Sequence, residues 1–218
     1  MKTVLDKKQK LFLKLFASEK AITEKFYLTG GTALCENYIP YRYSEDLDFF
    51  SEQEIKTEEI IAFLASIKKQ LGYQTFEYNT SFNRNLFFLK FSSSELKLEF
   101  TYYPFPQIHQ PMVKGGLKID SIEDIAVNKL FTIYQKPRSR DFMDLYMIIK
   151  KYKYSIRDLI KNAKIKFDTH TDLLKLGSQF LQAKNLKDFP RVIEPLDEKL
   201  WQVFFEDEAK KLGKEIIS

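Results

Sequence analysis

Asp46 and Asp48 alternate with Leu47 and Phe49 in a run that ends at Phe50. At that spacing two carboxylates share one face of a strand. Like charges held side by side disfavour ionisation, and a hard divalent cation is what makes such a pair tolerable. Upstream, Gly30-Gly31-Thr32 follows a short apolar approach and opens a helical pattern. A glycine turn lets backbone N–H groups approach a phosphate at the positive end of the helix. Thr32 adds a hydroxyl donor or caps that helix. A phosphate turn beside a magnesium pair reads as nucleotide chemistry. In a two-metal mechanism one cation activates the attacking hydroxyl, and the other stabilises the triphosphate and the departing pyrophosphate. Each feature has a plainer reading as well: an ordinary strand-to-helix turn, and a solvated strand face.

Such a site wants a third carboxylate from a neighbouring strand. Glu99, in Glu95–Tyr103, alternates with Leu96, Leu98 and Phe100 and so falls on the polar face of its strand. The expected metal ligands are therefore Asp46, Asp48 and Glu99. Arg42 and Ser44 lie just before the aspartates. The arginine either grips a triphosphate or balances the acidic cluster. Further on, Lys129 projects from a helical pattern and is able to neutralise charge developing on a phosphate. Asp141 and Asp144, at i and i+3, share one helix face. Acidic residues in a first helical turn are also stabilising in themselves, which bears on Asp141 more than on Asp144. His109 and His170 have no partner at metal-ligand spacing, so no zinc site is assigned. There is no nucleophile elbow and no Walker-type loop.

The elements that must position these residues follow from periodicity. Leu5 to Ser18 reads as an amphipathic helix and Phe26-Tyr27-Leu28 as a short buried strand. Thr32 to Tyr38 is helical and stops before Pro40. Leu47, Phe49 and Phe50 mark a strand carrying Asp46 and Asp48 on its other face. Lys56 to Leu71 is a helix closed by Gly72. Strand-like runs cover Tyr73–Tyr78, Asn85–Phe91 and Glu95–Tyr103, the last two joined through Ser92-Ser93-Ser94 as an antiparallel hairpin. Pro104, Pro106, Pro111 and Gly115-Gly116 read as a long irregular connection and the best domain boundary. After it the pattern is helical: a helix from Ser121-Ile122-Glu123-Asp124, a second capped by Ser139, then about Ile156–Lys164, Thr171–Lys184 and Asp197–Leu212. The expected fold is α+β: a small mixed β-sheet core with flanking helices over residues 1–112, then a helical half over 113–218 that completes the site.

The 218 residues are 44% apolar and 30% charged, an ordinary globular balance long enough to bury a core. Phe and Tyr are abundant, so the core is aromatic-rich. The formal charge is +5, unevenly placed: Lys114 to Lys166 holds thirteen Lys/Arg against six Asp/Glu. That basic stretch is either a polyanion-binding surface or a solvated lysine-rich one. Cys35 is the only cysteine, which leaves no disulfide framework or thiolate cluster and suits a small packing residue. The first residues have no signal-peptide layout and no segment is apolar enough to span a bilayer, so a cytoplasmic protein with no membrane partner is expected.

Taken together, the motifs resemble the nucleotidyltransferase AbiEii/AbiGii toxin family, within the polymerase-beta-like nucleotidyltransferase superfamily. The carriers are Gly30-Gly31-Thr32-Ala33-Leu34, Arg42-Tyr43-Ser44-Glu45-Asp46-Leu47-Asp48-Phe49, Lys129 and Arg140-Asp141-Phe142-Met143-Asp144-Leu145-Tyr146, with Glu99 placed by strand context. The resemblance spans about Phe26 to Ile149. It implies Mg²⁺- or Mn²⁺-dependent transfer of a nucleotidyl group from an NTP, with Asp46, Asp48, Glu99, Lys129 and Asp144 catalytic. Gly30, Gly31, Thr32, Arg42, Ser44 and Asp141 would contact the nucleotide. The family's basic residue upstream of its acidic pair corresponds to Arg138 or Arg140. In toxin members the acceptor is RNA, in some cases tRNA, and a cognate antitoxin is encoded beside the toxin. Two other readings stay open. One is the same chemistry on an antibiotic or metabolite; the other is a non-catalytic nucleotide- or RNA-binding module, against which the clustered carboxylates count.

Overall fold

The computed structural model describes residues 3–217. They form two compact units, one running through Ser121 and the other beginning at Ile122.

The first unit contains helices α1 (Lys7–Ser18), α2 (Lys20–Thr23), α3 (Gly30–Asn37) and α4 (Thr57–Leu71). Its strands are β1 (Tyr27–Thr29), β2 (Leu47–Ser51), β3 (Thr75–Ser81), β4 (Arg84–Lys90), β5 (Glu95–Tyr102), β6 (Met112–Lys114) and β7 (Leu117–Ile119). They make one mixed sheet in the order β3-β4-β5-β2-β1-β7-β6. The core lies on one face. Phe12 and Phe16 of α1 pack on Phe49 of β2, Phe16 also on Phe100 of β5, and Phe63 of α4 packs on Phe12 and Phe16, with Phe16 and Phe49 ring centroids 4.6 Å apart. Each such ring contributes on the order of 1.5–3 kcal/mol by leaving water. Helix α1 starts cleanly because Asp6 and Gln9 form a reciprocal capping box.

The α+β class expected from the sequence is what the chain adopts, with a sheet larger than foreseen. Gly115-Gly116, expected in an irregular connection, instead turns the β6–β7 hairpin with φ of 58° and 83°. Side chains resist that left-handed region, so the pair is a hairpin turn rather than a linker. The division between units consequently falls at Ser121/Ile122 and not at residue 112. Two smaller corrections concern β2. Phe50 shares the face of Asp48 and packs on Tyr27 and Tyr103, not in the core with Phe49. Asp46 lies just before β2 rather than within it.

The second unit is helical: α5 (Ile122–Gln135), α6 (Ser139–Tyr152), α7 (Ile156–Phe167), α8 (Leu173–Leu181) and α9 (Glu198–Ile217). Phe142 of α6 is fully buried against Phe180 of α8 and Trp201 and Phe205 of α9. Ser139 does not cap α6. It is the first helical residue, Arg138 holds the cap position, and the Ser139 hydroxyl has no hydrogen-bond partner. No helix among the described residues is long and apolar enough to cross a membrane.

Candidate active site

The carboxylates are brought together by register. β1 pairs antiparallel with β2, setting Thr29 opposite Asp48, and β2 pairs parallel with β5, setting Asp48 opposite Glu99. Register partners point to the same side of a sheet and sit one strand spacing apart. The glycine turn, Asp48 and Glu99 therefore occupy neighbouring rows on the face opposite the aromatic core.

The double glycine is required by what lies against it. Gly30 has φ +69°, and a Cβ there would collide with a carboxylate oxygen of Asp48 and lie 3.3 Å from its Cγ. A Cβ on Gly31 would collide with the Arg42 guanidinium and lie 3.0 Å from the Ser44 hydroxyl. The two glycines thus let the Asp48 carboxylate, the Arg42 guanidinium and the Ser44 hydroxyl reach the turn's backbone. Thr32 is fully buried and its hydroxyl donates to the Asp46 carbonyl, tying α3 to the approach of β2. Arg42, only 4% exposed, donates to the Tyr43 carbonyl at 2.9 Å. Gln9 of α1 donates to the Ser44 and Glu45 carbonyls at 2.8 and 3.1 Å, fixing the segment before the aspartates. Asp120, buried after β7, accepts from Thr29 at 2.6 Å and Gln107 at 2.9 Å, steadying the end of β1.

Gly30→Ala is expected to lose about 1–2 kcal/mol from the positive φ alone. For a chain of this size that is a fall of roughly 3–6 °C in Tm by circular dichroism. An unchanged Tm would mean that the turn relaxes without cost.

Two basic residues that the sequence reading did not single out stand among the acids. Lys97, two residues before Glu99 on β5, pairs with Asp46 at 2.7 Å. Arg84, on β4 opposite Thr101, reaches diagonally to Glu99 with both prongs, Nε to Oε1 at 2.7 Å and Nη2 to Oε2 at 2.6 Å. The Thr101 hydroxyl adds a third bond to Glu99 at 3.0 Å. Burial alone would push the Glu99 carboxyl up, but the Arg84 hydrogen bonds and charge, with Thr101 and Lys97, outweigh it and hold the group below its ordinary value. Strand alternation places Lys97 on the acid face. Arg84 is legible only once the hairpin register is known.

The donor chemistry suits a hard cation: Asp48 and Glu99 are neighbours by register, and Asp46 adds a carboxylate just before the strand. Among the described residues, however, no three His, Cys, Asp or Glu side chains converge as a finished cage. Glu99 has both oxygens on Arg84, and Asp46 is engaged by Lys97.

In the helical unit, Lys129 of α5 lies 2.7 Å from both Asp141 and Asp144 of α6. Asp141 and Asp144 share a face, as their spacing predicts, and both are fully buried. Arg138 completes the group at 2.7 Å from Asp141. Burial raises the Asp141 carboxyl, but the Lys129 and Arg138 charges and the Lys129 hydrogen bond outweigh it, so it is held low. A depressed folded-state pKa contributes stability above the unfolded value of about 3.9, and that stability is lost as pH falls through the folded value. Wild-type Tm is therefore expected to drop steeply below about pH 4. Asp141→Asn should start lower at neutral pH and fall less, which thermal melts from pH 2 to 7 would read.

With this geometry in place, the comparisons take on meaning. The family model for the nucleotidyl transferase AbiEii toxin of type IV toxin–antitoxin systems matches residues 12–214. The fold is shared with solved proteins of Helicobacter pylori. A provisionally assigned nucleotidyltransferase aligns over 97% of both chains at 24% identity and TM-score 0.62. The protein JHP933 aligns over 94% of this chain and 90% of its own at 25% identity and TM-score 0.60. An uncharacterised protein of Aquifex aeolicus (strain VF5), aq_aa25, is 31% identical over 148 residues, which is 67% of this chain and 68% of that one. The chain belongs to the AbiEii nucleotidyltransferase toxin family.

Proposed function

We propose that the protein is a divalent-metal-dependent nucleotidyltransferase that moves NMP from an NTP to an RNA acceptor, as the toxin of a toxin–antitoxin pair. The observation that supports this best is the row formed by the Gly30-Gly31 turn, Asp48 and Glu99 through the β1–β2–β5 register. Asp46 and Asp48 would hold a Mg²⁺ or Mn²⁺ ion, which when bound supplies charge stabilisation to the phosphates and an activated acceptor hydroxyl. The chain's own residues orient the rest. Gly30 and Gly31 would turn backbone N–H groups toward a phosphate, Arg42 and Ser44 offer donors beside them, and Thr32 fixes Asp46 by its backbone. For Lys129, Asp141 and Asp144 the family resemblance supports a nucleotide role.

The RNA acceptor is favoured by the charge of the helical unit. Lys129 and Lys166 are buried in ion pairs and do not contribute. Lys136, Lys150, Lys151, Lys153, Lys161 and Lys164 are exposed. Lys150 lies over the Tyr146 ring and Lys151 over the Tyr152 ring. Exposed lysines along these helices suit a flexible polyanion. A cognate antitoxin and an NTP substrate complete the partner set. The test is incubation with Mg²⁺, total RNA and each labelled NTP in turn. Label is expected in RNA. Label in neither RNA nor protein from any NTP, beside an active control transferase, would overturn the reading.

A further inference from the structure

We propose that Arg84 is a placeholder cation: its bidentate hold on Glu99 competes with a divalent ion for the same two oxygens, and the ion reaches them only as the arginine leaves. This rests on the metal-dependent reading above. Three observations carry it. Glu99 is buried and is the in-register neighbour of Asp48, so its charge needs an opposite charge at all times. Arg84 supplies that charge through a bidentate contact that uses both oxygens. The Arg84 side chain is half exposed whereas that of Glu99 is not, so the arginine is the partner that is able to leave. Thr101 holds Glu99 in place meanwhile.

The exchange has a physical logic. The bidentate contact holds the Glu99 carboxylate in one orientation. The consequence is a lowered affinity, because binding must break two charge-assisted hydrogen bonds. The guanidinium and the divalent ion compete for the same oxygens, so removing the guanidinium should tighten metal binding rather than weaken it.

The probe is Mn²⁺ alone, titrated into the full chain and followed by the electron-paramagnetic signal of the free ion. Arg84→Met is expected to bind Mn²⁺ about tenfold more tightly than wild type, the worth of a charge-assisted hydrogen bond. Arg84→Lys keeps the charge but loses the fork and should fall between the two, which keeps the test open if the methionine variant does not fold. Lys90→Met removes a charge at the far end of β4 from Arg84, paired with Glu77 of β3 and Glu95 of β5, and should shift affinity by no more than about twofold. Equal or weaker Mn²⁺ binding by folded Arg84 variants overturns the placeholder role, as does an equal gain from Lys90→Met. Those outcomes are separable from failure of the underlying reading: if Asp48→Asn binds Mn²⁺ as wild type does, the metal site itself is lost.

Discussion

Asp48→Asn is expected to reduce nucleotidyl transfer about 10³-fold while leaving the fold in place, since a metal–carboxylate interaction is worth several kcal/mol in the transition state. The argument is positional. Asp48 is the central member of the row, with Thr29 on one side and Glu99 on the other. Gly30 gives up its Cβ to let that carboxylate approach the turn. Asparagine keeps the shape, so the turn and register survive, but it loses the charge that a hard cation requires. Turnover of labelled NTP into RNA should therefore collapse with Tm shifted by only a few degrees, the scale of a partly exposed polar substitution. A variant that retains transfer within about tenfold would show that the carboxylate holds no metal in the rate-limiting step.

How the sequence announces this site depends on how local each constraint is. Gly30-Gly31 and Asp48 are legible because each constraint acts within a few residues: a turn needs glycine, and alternation sets Asp48 on the face opposite Leu47 and Phe49, whereas Asp46 lies before the strand. Glu99 is legible because its strand alternates cleanly with Leu96, Leu98 and Phe100. The same logic fails where the partner lies on another strand. Nothing near Arg84 says that it faces Glu99. That follows from the β4–β5 register, which sets Arg84 opposite Thr101. Gln9 holds the loop before the aspartates from 35 and 36 residues away in sequence. Asp120 steadies Thr29 across 91 positions. Gly115-Gly116 misled for a related reason. Glycines among prolines read as a linker, and only the strands on either side, three residues each, make them a hairpin. Hydrophobicity groups Phe50 with Phe49, whereas alternation assigns it to the face of Asp48. The basic stretch needs the same correction, since Lys129 and Lys166 count toward its charge in sequence but are spent inside the helical unit.

Lys166→Met is expected to produce the largest loss of stability. Lys166 of α7 and Asp124 of α5 form an ion pair at 2.6 Å with both side chains fully shielded from solvent. Asp124 sits in the first turn of its helix, where the macrodipole favours a negative charge, but that is worth only about 0.3–1 kcal/mol and cannot replace a buried counter-ion. Removing the ammonium takes the counter-ion from a carboxylate buried away from water, a loss of about 3–5 kcal/mol. For a chain of this length that corresponds to a Tm lower by on the order of 10 °C. The double variant Lys166→Met/Asp124→Leu is the sharper measurement. Two apolar side chains of similar volume remove both desolvation penalties at once, and such replacements are often neutral or stabilising. The double variant is therefore expected to recover most of what the single one loses, giving a large favourable coupling in a double-mutant cycle. Additive losses in the cycle would instead mean that the two residues act through separate contacts, and that α5 and α7 are held by their apolar faces rather than by this pair.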